Sequence, residues 1–188
     1  AMIFPRLSYL KSAGKINKHD LNMIKKYIQR KLVWEGKTQY ICKSIELTQN
    51  AKLIKEVFPD ARIILCVRKP EECLPSVAGL WYSMPCWQGL SSEHKAGLFR
   101  NYVTNNSIPG LKAIQDETVP YDVRVDFEDW KKDPQAVLDR VRDTLELEYS
   151  PIYAPKREGT GVRVTDPDAL HVIEDTLEYL NKREKYAH

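Results

Sequence analysis

Residues 58–81 read FPDARIILCVRKPEECLPSVAGLW. An apolar run from Ala61 to Val67 breaks off at Arg68-Lys69-Pro70, and a helix-like pattern restarts at once. An apolar run of this kind suits a strand covered on both faces, the usual condition of a parallel sheet flanked by helices. Pro70 presets the backbone of a first helical residue, and Glu71 and Glu72 suit the positive end of the helix dipole. The stretch therefore predicts a strand, an abrupt exit and a helix running to about Trp81. Arg68 stands at the carboxyl end of that strand, where ligands bind in such sheets. A solvated loop arginine is the competing reading. Ser76 follows eight residues later, within the helix, and a guanidinium with a hydroxyl near a helix start makes a phosphate clamp. Pro75 either interrupts this helix or marks its true beginning.

Upstream, DLNMIKKYIQRKLVW (residues 20–34) spaces Leu21, Ile24, Ile28 and Leu32 three or four apart with basic residues opposite, as an amphipathic helix requires. TQYICKS (38–44) reads as a short strand. ELTQNAKLIKEVF (46–58) reads as a helix with Leu47, Ala51, Ile54 and Val57 on one face, stopped by Pro59. Downstream, residues 91–114 read as a long helical region broken near Pro109, and YDVRVDF (121–127) alternates like a strand. DPQAVLDRVRDTLEL (133–147) is helical through Val137, Leu138, Val141 and Leu145, and DPDALHVIEDTLEYLNKREK (166–185) is a final helix. Strands alternating with helices predict an α/β fold with a mainly parallel sheet, as one domain over residues 1–188.

A chain of 188 residues, 43% of them hydrophobic, buries a sizeable core. The net charge of +3 is small and its acids and bases are interspersed, so binding to nucleic acid or a membrane surface by field alone is excluded and any anion site must be local. Cys42, Cys66, Cys73 and Cys86 form no CxxC pair, and reduced thiols are expected. Cys42 and Cys66, in strand-like runs, are expected to lie buried on neighbouring strands. No segment approaches the ~18 apolar residues of a membrane helix. With no signal-like segment and no disulfide pattern, the expected compartment is cytoplasmic. The opening Ala1-Met2-Ile3 reads as an internal start or a tag remnant, so the true N-terminus is expected ahead of Ala1.

YICKSIELTQNAKLIKEVFPDARIILCVRKPEECLPSV (40–77) resembles the central part of the sulfotransferase family. Its members commonly carry a lysine at a strand end, a helix, an FPdAr segment, an apolar strand, R-x-P, and a serine eight residues beyond the arginine. VRVDFEDWKKDPQAVLDRVRDTLEL (123–147) is similar to a second family block, YEDL…DP…L..I..fL.L. The resemblance covers roughly residues 20–150. It implies a nucleotide-binding α/β fold like that of the nucleotide kinases. It also implies sulfuryl transfer from 3′-phosphoadenosine 5′-phosphosulfate to a hydroxyl or amine acceptor, without a metal. Arg68 and Ser76 would hold the donor's 3′-phosphate. KREGTGVR (156–163) partly matches a late basic loop that closes on the same phosphate in the cytosolic branch, which would add Lys156, Arg157 and Gly159; a flexible surface loop explains the same letters.

Two departures touch the chemistry. The family opens with a strand and a small-residue loop around the 5′-phosphosulfate, and LKSAGK (10–15) lacks both the preceding strand and the spacing. A segment ahead of this chain, or loss of half the donor site, is expected. Where many relatives carry lysine, a small polar residue and then histidine, this chain has Lys43, Ser44 and Ile45. Lys43 retains a cation for the departing phosphate oxygen, and Glu46 is the candidate base, although a carboxylate there also suits a helix start. His94 is a further candidate base, against the alternative of an exposed helical histidine. Tyr121, Phe127 and Trp130 are read as packing. The rival to an enzyme is a non-catalytic scaffold or assembly subunit that kept the fold, with a protein partner covering an exposed sheet edge. A nucleotide kinase is disfavoured because GxxxxGK[ST] is absent.

Overall fold

The computed structural model describes residues 18–43, 45–148 and 164–184. The loop candidates 10–15 and 156–163, with Lys156, Arg157 and Gly159, lie outside them, as does the stretch 2–17. The chain divides into two compact units, residues 1–62 with 113–120, and residues 63–112 with 121–188.

In the first unit, helix α1 (Lys18–Glu35) turns Leu21 and Ile28 inward, as the apolar spacing predicts. Gly36, at φ +61°, closes it, with Gly36 N donating to Val33 O and Lys37 N to Leu32 O; only a residue free of a Cβ adopts that angle without cost. A 3-10 turn (Ile45–Asn50) leads into α2 (Ala51–Val57), and Leu21 and Val57 form a small core flanked by Ile24, Leu47, Leu53, Ile54 and Phe58. The Lys25 ammonium donates to Val57 O at 2.8 Å, occupying a helix-end carbonyl. The strand expected over 38–44 is not found among its described residues: residues 39–43 carry no regular structure and Ile41 is 91% exposed. A strand is held by pairing with a neighbouring strand rather than by β propensity, and the described residues of this segment enter no sheet.

In the second unit, β1 (Ile64–Val67) pairs in parallel with β2 (Val123–Asp126), in the register Ile64↔Val123 to Val67↔Asp126. Asp122 locks the entry to this pair: its carboxylate accepts from Ile63 N at 2.6 Å and its N–H donates to Ile63 O at 2.9 Å. The fold is thus α/β, mostly helical, with a parallel sheet of two strands among the described residues. Coverage of β1 on both faces is not met among the described residues. Leu65 is buried, whereas Ile64 is 45% exposed and Cys66 is also exposed. Cys42 is half-buried and off any strand, so the expectation of two buried cysteines on adjacent strands is corrected. No disulfide forms.

Helix α3 (Pro70–Tyr82) starts at Pro70 and runs on through Pro75, so the proline does not mark its beginning. Pro75 removes the donor that would meet the Glu71 carbonyl, but Glu71 is exposed, where water takes up that carbonyl. After a 3-10 turn (Pro85–Trp87), α4 (Ser92–Tyr102), a π turn (Val103–Ser107) and α5 (Ile108–Gln115) follow without a break. The widened turn absorbs Pro109. Ile108 N reaches back to Val103 O, and the Asn105 and Asn106 amides donate to the carbonyls of Asn101 and Tyr102 at 2.9 and 3.2 Å. α6 (Phe127–Lys132), α7 (Pro134–Thr144) and α8 (Pro167–Glu184) complete the fold.

Leu74, Ala78, Trp87, Ala96, Phe99, Val103, Val172 and Ile173 join α3, α4 and α8 into the main core, and Val137 and Val141 of α7, with Leu145 just past its end, cover Val123 and Val125 of β2. Asp133 starts α7 by accepting from Ala136 N at 3.0 Å, ahead of Pro134. Asp133→Ala should cost about 1 kcal/mol, read as a lowered urea midpoint; an unchanged midpoint would mean that the cap contributes nothing.

Candidate functional site

Arg68 leaves β1 at its carboxyl end, and Lys69 is the N-cap residue of α3. Its carbonyl accepts from Glu72 N and Cys73 N, which sets the exit angle of the chain. The Arg68 guanidinium donates through Nε to Glu72 at 3.2 Å and stacks on Phe127 with Cζ 4.4 Å from the ring centroid. The other Glu72 oxygen accepts from Lys131 at 3.3 Å. Lys131 also pairs with Glu128 at 2.7 Å and lies 5.4 Å from the Phe127 centroid. Two cations therefore share one aromatic plate and one carboxylate.

Ser76 is exposed one turn beyond Glu72 on α3. Glu72 and Ser76, four residues apart on α3, share a helix face, and Arg68, ahead of the helix, reaches Glu72 with its side chain. The helix turns Leu74, Ala78 and Gly79 into the core, which leaves that side to solvent. Sequence alone says less of the rest: Glu72 reads there as a partner of the helix dipole, Phe127 as packing, and Lys131 carries no signal. The four-residue spacing from Arg68 to Glu72 was visible as an ion-pair signal. Phe127 and Lys131 arrive from beyond β2 and had no local signal.

The Glu72 carboxyl is held below its ordinary value of 4.5, chiefly by the hydrogen bond from Lys131 and then by that from Arg68. Lys131 is raised, first by its bond to Glu128, and burial pushes the Cys73 thiol up against the opposing charge of Arg68. A carboxyl whose folded pKa is depressed stabilises the fold in full above its unfolded value, and loses that contribution as pH falls through the folded one. The stability difference between the unsubstituted protein and Glu72→Gln should hold steady above about pH 5 and shrink toward zero in more acid solution. Denaturant midpoints across that range test it; a difference that does not change with pH would rule the ion pairs out.

The remaining sequence candidates fall on other segments of the chain. Lys43 is exposed in the first unit, in the segment without regular structure. Glu46 falls in the 3-10 turn Ile45–Asn50, and its side chain lies outside what the structure describes. His94 is exposed in the first turn of α4, where its backbone N–H donates to the Ser91 hydroxyl. The Lys156, Arg157 and Gly159 loop is outside the described residues. Among the described residues no helix is long and apolar enough to cross a membrane.

A guanidinium, an ammonium and a hydroxyl around one solvent-facing helix start are suited to a phosphate monoester. A family model described as the sulfotransferase family matches residues 12–151. No curated protein and no solved structure matches the chain.

Proposed function

Since this chain belongs to the sulfotransferase family, we propose that it takes 3′-phosphoadenosine 5′-phosphosulfate as its sulfuryl donor, with Arg68 and Ser76 on the 3′-phosphate. The donor supplies the sulfuryl group. Its bond to the 5′-phosphate oxygen breaks as a bond to an acceptor oxygen or nitrogen forms, and adenosine 3′,5′-bisphosphate leaves. Arg68 binds by charge-assisted hydrogen bonds from a planar fork, and Ser76 adds a neutral donor that rotates to suit.

The observation that supports this reading is the station of Arg68 at the carboxyl end of a parallel strand, directly before a helix start and bonded to Glu72, which shares a helix face with Ser76. Calorimetric titration of the full chain with adenosine 3′,5′-bisphosphate tests it, together with a transfer assay using the labelled donor and a panel of phenols, alcohols and amines. Saturable heat is expected. No heat from the folded chain at millimolar ligand would remove the donor assignment.

A further inference from the structure

Resting on the donor reading of Arg68, we propose that Lys131 is a second cation of the same phosphate site, and that the Glu72 carboxylate is its built-in competitor. Glu72 occupies the anion position between Arg68 and Lys131 until a phosphate replaces it.

The geometry is that of a bridging anion. One Glu72 oxygen accepts from Arg68 Nε at 3.2 Å and the other from Lys131 Nζ at 3.3 Å. A carboxylate between two cations is what a phosphate with two oxygens in the same places would imitate. The phosphate carries more charge and has oxygens left over. Among the described residues the Arg68 Nη nitrogens make no hydrogen bond, so the outer edge of the fork is available for a bidentate grip. Phe127 holds both cations near one ring, at 4.4 and 5.4 Å, and so keeps Lys131 beside Arg68 whether or not Glu72 stays. The side chains of Arg68, Glu72 and Lys131 are 36, 34 and 44% exposed, which leaves the bridge within reach of a dissolved anion and makes the carboxylate replaceable. Exposed pairs of this kind are each weak, whereas a covalently fixed carboxylate is always present. Lys131 also answers to Glu128 at 2.7 Å, so the two cations and two carboxylates balance. An arriving phosphate gains net attraction only as Glu72 swings aside.

The full chain, titrated with adenosine 3′,5′-bisphosphate and in parallel with inorganic phosphate, decides the matter. Glu72→Gln keeps the shape and removes the charge, and should bind the bisphosphate roughly threefold to tenfold tighter. Lys131→Met should weaken it by about the same factor, and should do so in the Glu72→Gln background as well. That second background separates a phosphate contact from mere support of Glu72, since a supporting role vanishes once residue 72 is neutral. Lys131→Arg should retain binding. These side chains stand outside the core, and circular dichroism checks that each variant is folded.

If Arg68→Ala loses binding while Glu72→Gln binds no tighter, the competitor role is overturned and the donor reading stands. If Lys131→Met has no effect in the Glu72→Gln background, Lys131 is not part of the site. Tighter binding of inorganic phosphate alone would make this a general anion site and overturn its assignment to the donor. An Arg68→Ala protein that binds the bisphosphate as well as the unsubstituted chain overturns both readings together.

Discussion

Arg68→Ala should bind adenosine 3′,5′-bisphosphate at least about tenfold more weakly than the unsubstituted chain, the largest binding effect expected of any single substitution here. Each charge-assisted bond from a guanidinium to a phosphate is worth about 1.5–3 kcal/mol, and a fork makes two. Truncation also strips Glu72 of the partner at 3.2 Å, which leaves a carboxylate facing the incoming phosphate with half its compensation gone. Ser76→Ala loses one neutral bond and should cost only about three- to tenfold. The order of the two is the test in calorimetry. A Ser76 variant that suffers more than the Arg68 variant would place the phosphate elsewhere on α3.

The largest stability effect belongs to Phe99. Its side chain is 0% exposed between Leu74, Ala78, Trp87 and Val172, and the Tyr82 ring meets it edge-on at 6.4 Å. Phe99→Ala should cost about 3–5 kcal/mol, the lost transfer energy plus the cavity that α3, α4 and α8 cannot fully close around. Against a typical stability of about 5–15 kcal/mol, that is enough to unfold a marginal chain. Trp34→Ala is the internal control. Its larger ring is 91% exposed, and its removal should change stability by no more than about 0.5 kcal/mol. Urea unfolding followed by tryptophan fluorescence compares them, since Trp81 and Trp87 belong to the Phe99 core. A loss below about 1 kcal/mol for Phe99→Ala would mean that the three helices do not pack as one body.

The features legible from residue order are those that depend on neighbours along the chain. The start of α3 at Pro70, the acid-rich first turn, the faces of α1, α2 and α7, and the strand at 123–126 all follow from spacing and from proline. Arg68 at the end of β1 and Ser76 on the following helix belong to the same class, because a strand exit and a helical repeat are local facts. Pro109 misled for a related reason. A proline forbids one hydrogen bond, but whether the chain stops or widens into a π turn depends on what the Asn105 and Asn106 amides can satisfy.

The tertiary structure alone decided which strand-like segments become strands. Residues 38–44 and 123–126 both carry β-forming letters, yet among the described residues it is 123–126 that pairs in a parallel sheet and is covered by a helix, and burial rather than propensity makes a strand. It also decided the company of Arg68. Phe127 and Lys131 lie about sixty residues away along the chain and meet the arginine only because β2 pairs in parallel with β1 and delivers α6 to the same end of the sheet. No periodicity announces such a meeting. It comes from register, and register is set by buried faces contributed from distant parts of the chain.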